Sequence, residues 1–122
     1  MTSQGSAYAR FRRSLDTGSV TNALAAAQEI KPLPLTDALE LLVLLRDKSP
    51  GGFGYAALRW HGRYCREAGD VELGEGLAVL ALLEAMQGPR AKIAGSALAE
   101  LLSRRRGLER ACEALVSWGR AA

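Results

Sequence analysis

A chain of 122 residues fits one domain and is long enough to bury a core without disulfides or a structural metal. Hydrophobic residues make up 48% and charged residues 24%, which excludes wholesale disorder, and a net charge of +3 excludes the strongly cationic composition of histone-like binders. No apolar run approaches the ~20 residues of a spanning helix, and the N-terminus lacks a basic-then-apolar signal pattern, so a cytoplasmic protein without a membrane role is expected.

Abundant Leu, Ala, Glu and Arg, with few β-branched residues, predict an all-α chain punctuated by Gly and Pro clusters. After a flexible tail over residues 1–6, a first helix over 7–15 carries Tyr8, Phe11 and Leu15 on one stripe and ends near Gly18. A second, over 20–30, stops before Lys31-Pro32-Leu33-Pro34. Thr36 reads as the N-cap of a third helix ending near Lys48, with Asp37 and Glu40 in its first turns, where the dipole favours carboxylates. Ser49-Pro50-Gly51-Gly52 breaks the chain, and a fourth helix over 55–68 closes at Gly69. A fifth spans 73–87 up to Gly88-Pro89, and a sixth spans 91–105. A seventh follows Gly107, with Leu108, Cys112, Leu115 and Val116 leading to Trp118. The third and fifth are apolar almost all round, which predicts that both are central and covered on more than one side.

Laid over itself with a shift of roughly 38 residues, the chain places Leu35 on Leu73, Leu39 on Leu77, Leu42 on Leu80, Leu45 on Leu83, Pro50 on Gly88 and Gly69 on Gly107. The paired-helix period resembles the tetratricopeptide and HEAT class of α-solenoids, although the Trp-Leu-Gly-Tyr and Pro signature of the former is absent. That resemblance implies a compact right-handed stack of helix hairpins in a single domain. The segments Ala57-Leu58-Arg59-Trp60-His61-Gly62-Arg63-Tyr64-Cys65 and Leu73-Gly74-Glu75-Gly76-Leu77-Ala78-Val79 are similar to small uncharacterised actinobacterial all-helical proteins. This second resemblance covers most of the chain and implies a lineage without an activity.

The fourth helix is chemically the densest, holding the only histidine, one of two tryptophans and three arginines between Arg59 and Glu67. Helical spacing puts Arg59, Arg63 and Arg66 on one side and Leu58, His61, Tyr64, Cys65 and Ala68 opposite, with Trp60 at the border. Arg59, Trp60, Arg63 and Arg66 are therefore the candidate partner-binding residues, suited to carboxylates or phosphates. The competing reading is a solvated face with Arg63 paired to Glu67 and Trp60 at a core edge. His61 and Cys65, four apart, would need Cys112 or Glu113 to complete a zinc site. A histidine packed against a neighbouring helix carbonyl is the simpler reading, and no metal or cofactor is expected. Gly62 in mid-helix implies that something approaches the backbone there.

Elsewhere, Arg104, Arg105, Arg106 and Arg110 resemble the turn of a helix-turn-helix, but the helix beyond displays Glu109, Glu113 and alanines instead of base-reading side chains. Arg10, Arg12 and Arg13 form a second small basic patch, near a terminus expected to be mobile. Cys65 and Cys112 read as reduced thiols. Gly51-Gly52-Phe53-Gly54 lacks the strand and lysine of a phosphate loop, and Glu72 and Glu75 flank a helix start as capping residues, so no catalytic residue is assigned. The expected function is a non-enzymatic interaction module or adaptor for a protein partner, monomeric or weakly dimeric. The second expectation is a DNA-associated accessory protein whose arginines contact phosphates.

Overall fold

A computed structural model describes residues 3–121, and among these the chain forms seven α-helices and no strand. The expected all-helical class is the observed one. Helix α1 (Ser3–Thr17) begins inside the segment expected to be a tail: residues 3–6 are helical, while Met1 and Thr2 lie outside the described residues. Across Gly18, at φ +76°, the chain doubles back into α2 (Val20–Gln28), whose N-cap Ser19 accepts a hydrogen bond from the Asn22 amide.

Helix α3 (Leu35–Lys48) starts one residue before the expected cap. Pro34 holds the extended cap conformation, and Thr36 is turned to another use: its Oγ1 accepts the amide of Ala111 at 3.1 Å. Ala111 is the third residue of α7 (Glu109–Arg120), so Thr36 satisfies a free donor at the start of that helix instead of its own. A 3-10 turn over Pro50–Gly52 runs directly into α4 (Phe53–Glu67), which is why α4 begins two residues earlier than expected. Then come α5 (Leu73–Ala85) and α6 (Ala91–Leu102).

Helix α3 packs against α4 and α7 along much of its length and more lightly against α1 and α2. Helix α4 packs on α5, α5 on α6, α6 on α7, and α7 returns to α3, so five helices close a ring with the α1–α2 hairpin set against α3. The start of α3 and the start of α5, like those of α4 and α6, stand one repeat shift apart, and Gly69 and Gly107 share positive φ values of 82° and 88°. That local register is not carried into stacking: the backbone of α3 does not pack closely on that of α5, nor that of α4 on α6. An open solenoid stacks successive hairpins and leaves its ends apart, whereas here the last helix closes on the third.

The expectation that α5 is central needs correction. Its backbone packs closely only on α4 and α6, and it buries Val79 and Leu83 while leaving Leu73 and Leu77 exposed at 80% and 59%. Helix α3 is central as expected, with Leu39, Leu42 and Leu45 buried. Tight crossing of α6 and α7 depends on small residues: a Cβ at Gly95 would lie 2.9 Å from the Trp118 ring, and one at Gly119 would lie 2.7 Å from Ser96 Oγ.

Candidate interaction groove

Helices α2 and α4 both lie against α3 without meeting each other, which leaves a groove of about 740 Å³ between them. Its floor is Ala38, Leu41, Leu42 and Leu45 of α3. One wall is Leu24, Ala27 and Gln28 of α2, and the other is α4 from Ala56 to Arg66. At the mouth, Leu24 and Leu58 are 40% and 57% exposed, an arrangement that leaves apolar side chains in water beside a concave surface. The lining includes Arg59, Arg63 and Arg66 and no carboxylate.

The fourth helix thus brings the sequence-predicted arginines together on this groove, each in a different state. Arg59 is exposed, its guanidinium 5.9 Å from the Tyr55 ring centre. Arg63 is paired with Glu67 through two hydrogen bonds of 2.8 and 3.0 Å, which holds the Glu67 carboxyl below the usual carboxylate range. Arg66 is exposed and folds back along the wall, its Nη1 3.4 Å from where a Cβ on Gly62 would stand. Nothing else comes near that position, so Gly62 opens onto the groove instead of receiving a neighbouring helix.

Trp60 is placed as the core-edge reading has it. It is 3% exposed, stacks on Tyr64 at 5.2 Å between ring centres, and donates its Nε1 hydrogen to the Leu35 carbonyl at 3.0 Å. Its contribution to the surface is to stiffen the α4 wall against α3, not to protrude as an anchor. Leu58 and Cys65, expected on the covered side, are exposed, because α5 covers only part of that face. His61 makes the packed contact expected of it, its Nε2 2.7 Å from the Gly76 carbonyl on α5. Among the described residues no three His, Cys, Asp or Glu side chains gather as a metal site.

Two ion networks missed in the sequence set the frame around the groove. Asp37, buried at 1% exposure, accepts at Oδ1 from Tyr8 at 2.9 Å, Arg12 at 2.9 Å and Arg110 at 3.0 Å, tying α1, α3 and α7 together, while Arg12 also pairs with Glu40. Arg12 is therefore held in ion pairs, and Arg10 pairs with Glu29, so two members of the expected basic patch are matched by carboxylates. In the second network, Arg105 pairs with Glu75 at 2.7 Å, donates to the Ala68 and Gly69 carbonyls at the end of α4, and shares Glu75 with the Tyr64 hydroxyl. Glu75 is thus a bridge between helices, not a capping residue. Arg105 and Tyr64 together hold its carboxyl below the usual range, and burial and Glu75 push the Tyr64 phenol up to about 12. The only advance signal was chemical: acidic residues in helix starts and arginines in turns, with nothing to pair them.

No family model matches the chain, and no curated protein or solved structure matched it in comparison.

Proposed function

We propose that the protein is a non-enzymatic interaction module that docks a protein partner in the groove between α2 and α4. The observation that supports this reading most is the pairing of an apolar floor and exposed mouth leucines with a rim of three arginines and no carboxylate. Apolar area in a concave setting supplies affinity, and fixed charge at its edge supplies orientation and selectivity. Placed in the groove wall, Arg59, Arg63 and Arg66 act together with leucines of two other helices and not as an isolated charged stripe. No helix among the described residues is long and apolar enough to cross a membrane.

A DNA-associated role has lost ground. Of the four arginines around the α6–α7 turn, Arg105 and Arg110 are spent on Glu75 and Asp37, and Arg10 and Arg12 are likewise paired. The test is site-resolved photo-crosslinking in cells, with a photoreactive residue at Leu24 or Leu58 in the mouth, or at exposed Ile93 on α6 outside it. The docking role predicts one protein adduct shared by positions 24 and 58, missing at 93, and reduced by Arg59→Ala with Arg66→Ala. Equal adducts at all three positions, or none at the mouth, would overturn it.

A further inference from the structure

We infer that the occupant of the groove is a single amphipathic helix of the partner protein, carrying carboxylates along one flank; this rests on the docking role proposed above. The floor decides the backbone conformation. An extended segment laid over Leu41, Leu42 and Leu45 would bring its own N–H and C=O groups against an apolar surface that offers them nothing, since no strand edge exists among the described residues. A helix arrives with its backbone hydrogen bonds already made and presents only side chains. Helices α2 and α4 already flank α3 on either side of the gap, and a guest helix packs into the space between them as a further helix of the bundle does.

Charge fixes the flank. Arg59, Arg63 and Arg66 fall at i, i+4 and i+7 on α4, steps of about 6 Å and about 4.5 Å along the axis at the α-helical rise. A guest helix lying along α4 reproduces those steps with acidic residues at i, i+4 and i+7 when it runs parallel to α4, or at i, i+3 and i+7 when antiparallel, because it has the same rise. Among the described residues neither Arg59 nor Arg66 is in a salt bridge, Arg66 acting on the Glu67 carboxyl only at longer range, so both can take a carboxylate, and Arg63 can share its guanidinium between Glu67 and the guest. A nucleic-acid duplex matches the cations but keeps its base faces stacked inside, with no apolar face to set on the floor, and so leaves Leu24 and Leu58 in water.

The probe is a displayed library of 20-residue helix-forming peptides with one face varied over Leu, Ile, Met and Phe and both flanks varied over Glu, Lys and Gln, selected on the intact protein. The expected winners carry Glu at i, i+4 and i+7, or at i, i+3 and i+7, on one flank only. A proline at the centre of a winner should weaken binding by tenfold or more. So should Arg59→Glu with Arg66→Glu, and changing the matching Glu residues of the peptide to Lys should restore binding to that variant. Winners without the acidic flank, winners indifferent to proline, an empty selection, or a 20-base-pair DNA duplex bound more tightly than any peptide would each overturn the inference. The docking role is judged apart from it: crosslinks at positions 24 and 58 together with a failed selection leave a groove that takes a partner of another shape, whereas absent crosslinks remove the groove itself.

Discussion

Asp37 concentrates three donors on one carboxylate oxygen while its Oδ2 has no hydrogen-bond partner, so its charge, buried at 1% exposure, depends on Arg12, Arg110 and Tyr8. Removing a buried partner strands the others, although Glu40 remains to receive both arginines. Asp37→Ala is therefore expected to cost roughly 2 to 3 kcal/mol, below the full penalty for a severed buried pair. The exposed Arg10–Glu29 pair serves as the contrast, and Arg10→Ala should shift a urea midpoint hardly at all. Equal losses in the two variants would show that burial of Asp37 does not matter. Glu75 makes a pH-dependent contribution. Its folded pKa is depressed, first by Arg105 and then by Tyr64, so its stabilisation is present above the unfolded value of about 4.3 and is lost as pH falls through the folded one. The stability gap between wild type and Glu75→Gln should be open at pH 7 and close in acid. The Tyr64 phenol has the opposite sense: its contribution holds below about 10 and fades as pH rises through about 12. Alkaline unfolding of Tyr64→Phe should accordingly be shallower than that of wild type.

At the scale of elements, α3 and α5 have similar apolar sequences and different surroundings. Leu42, 3% exposed and central, should lose about 2 to 5 kcal/mol on truncation to Ala. Half-buried Leu80 on peripheral α5 should lose roughly 1 kcal/mol or less, so denaturant midpoints of the two variants separate α3 from α5 directly. Gly62 on α4 gives a third comparison: Gly62→Ala is expected to stabilise the helix by about 0.5 to 1 kcal/mol, since only the mobile end of Arg66 is near, while crowding the groove wall and weakening partner binding. Helix positions were legible in the sequence because their signals are local: Pro34 and Pro50 before starts, Gly18, Gly69 and Gly107 after ends. The arginine side of α4 was legible for the same reason, being fixed by the helical period. What stayed hidden depends on tertiary placement. Asp37 meets Arg12 and Arg110 across 25 and 73 residues, Thr36 serves α7 across 75, and α2 becomes a groove wall only because α3 lies between it and α4.

Over the whole molecule, ring closure makes a prediction that a stack of hairpins does not. In an open array each hairpin leans only on its neighbours, so the two ends can loosen independently and probes in different repeats report different midpoints. Here α7 lies against both α6 and α3, its Trp118 ring set beside Gly95 with Lys92 Nζ 4.3 Å and the Arg46 guanidinium 5.7 Å from the ring centre, while Arg110 and the Ala111 amide reach Asp37 and Thr36 on α3. Opening α7 therefore strips the central helix as well as the terminal one. The two tryptophans are placed to read this, since Trp60 sits on α4 against α3 and Trp118 sits between α6 and α7. Two single-tryptophan variants, Trp60→Phe and Trp118→Phe, should each unfold in one transition whose fluorescence midpoint coincides with the loss of helix measured on the same variant by circular dichroism. Trp60→Phe also gives up the hydrogen bond to Leu35, so its midpoint falls as a whole, but the two signals should fall together. If Trp118 fluorescence changes at lower denaturant than helix content while Trp60 fluorescence does not, α7 opens alone, and the chain behaves as an array of hairpins whose last helix frays.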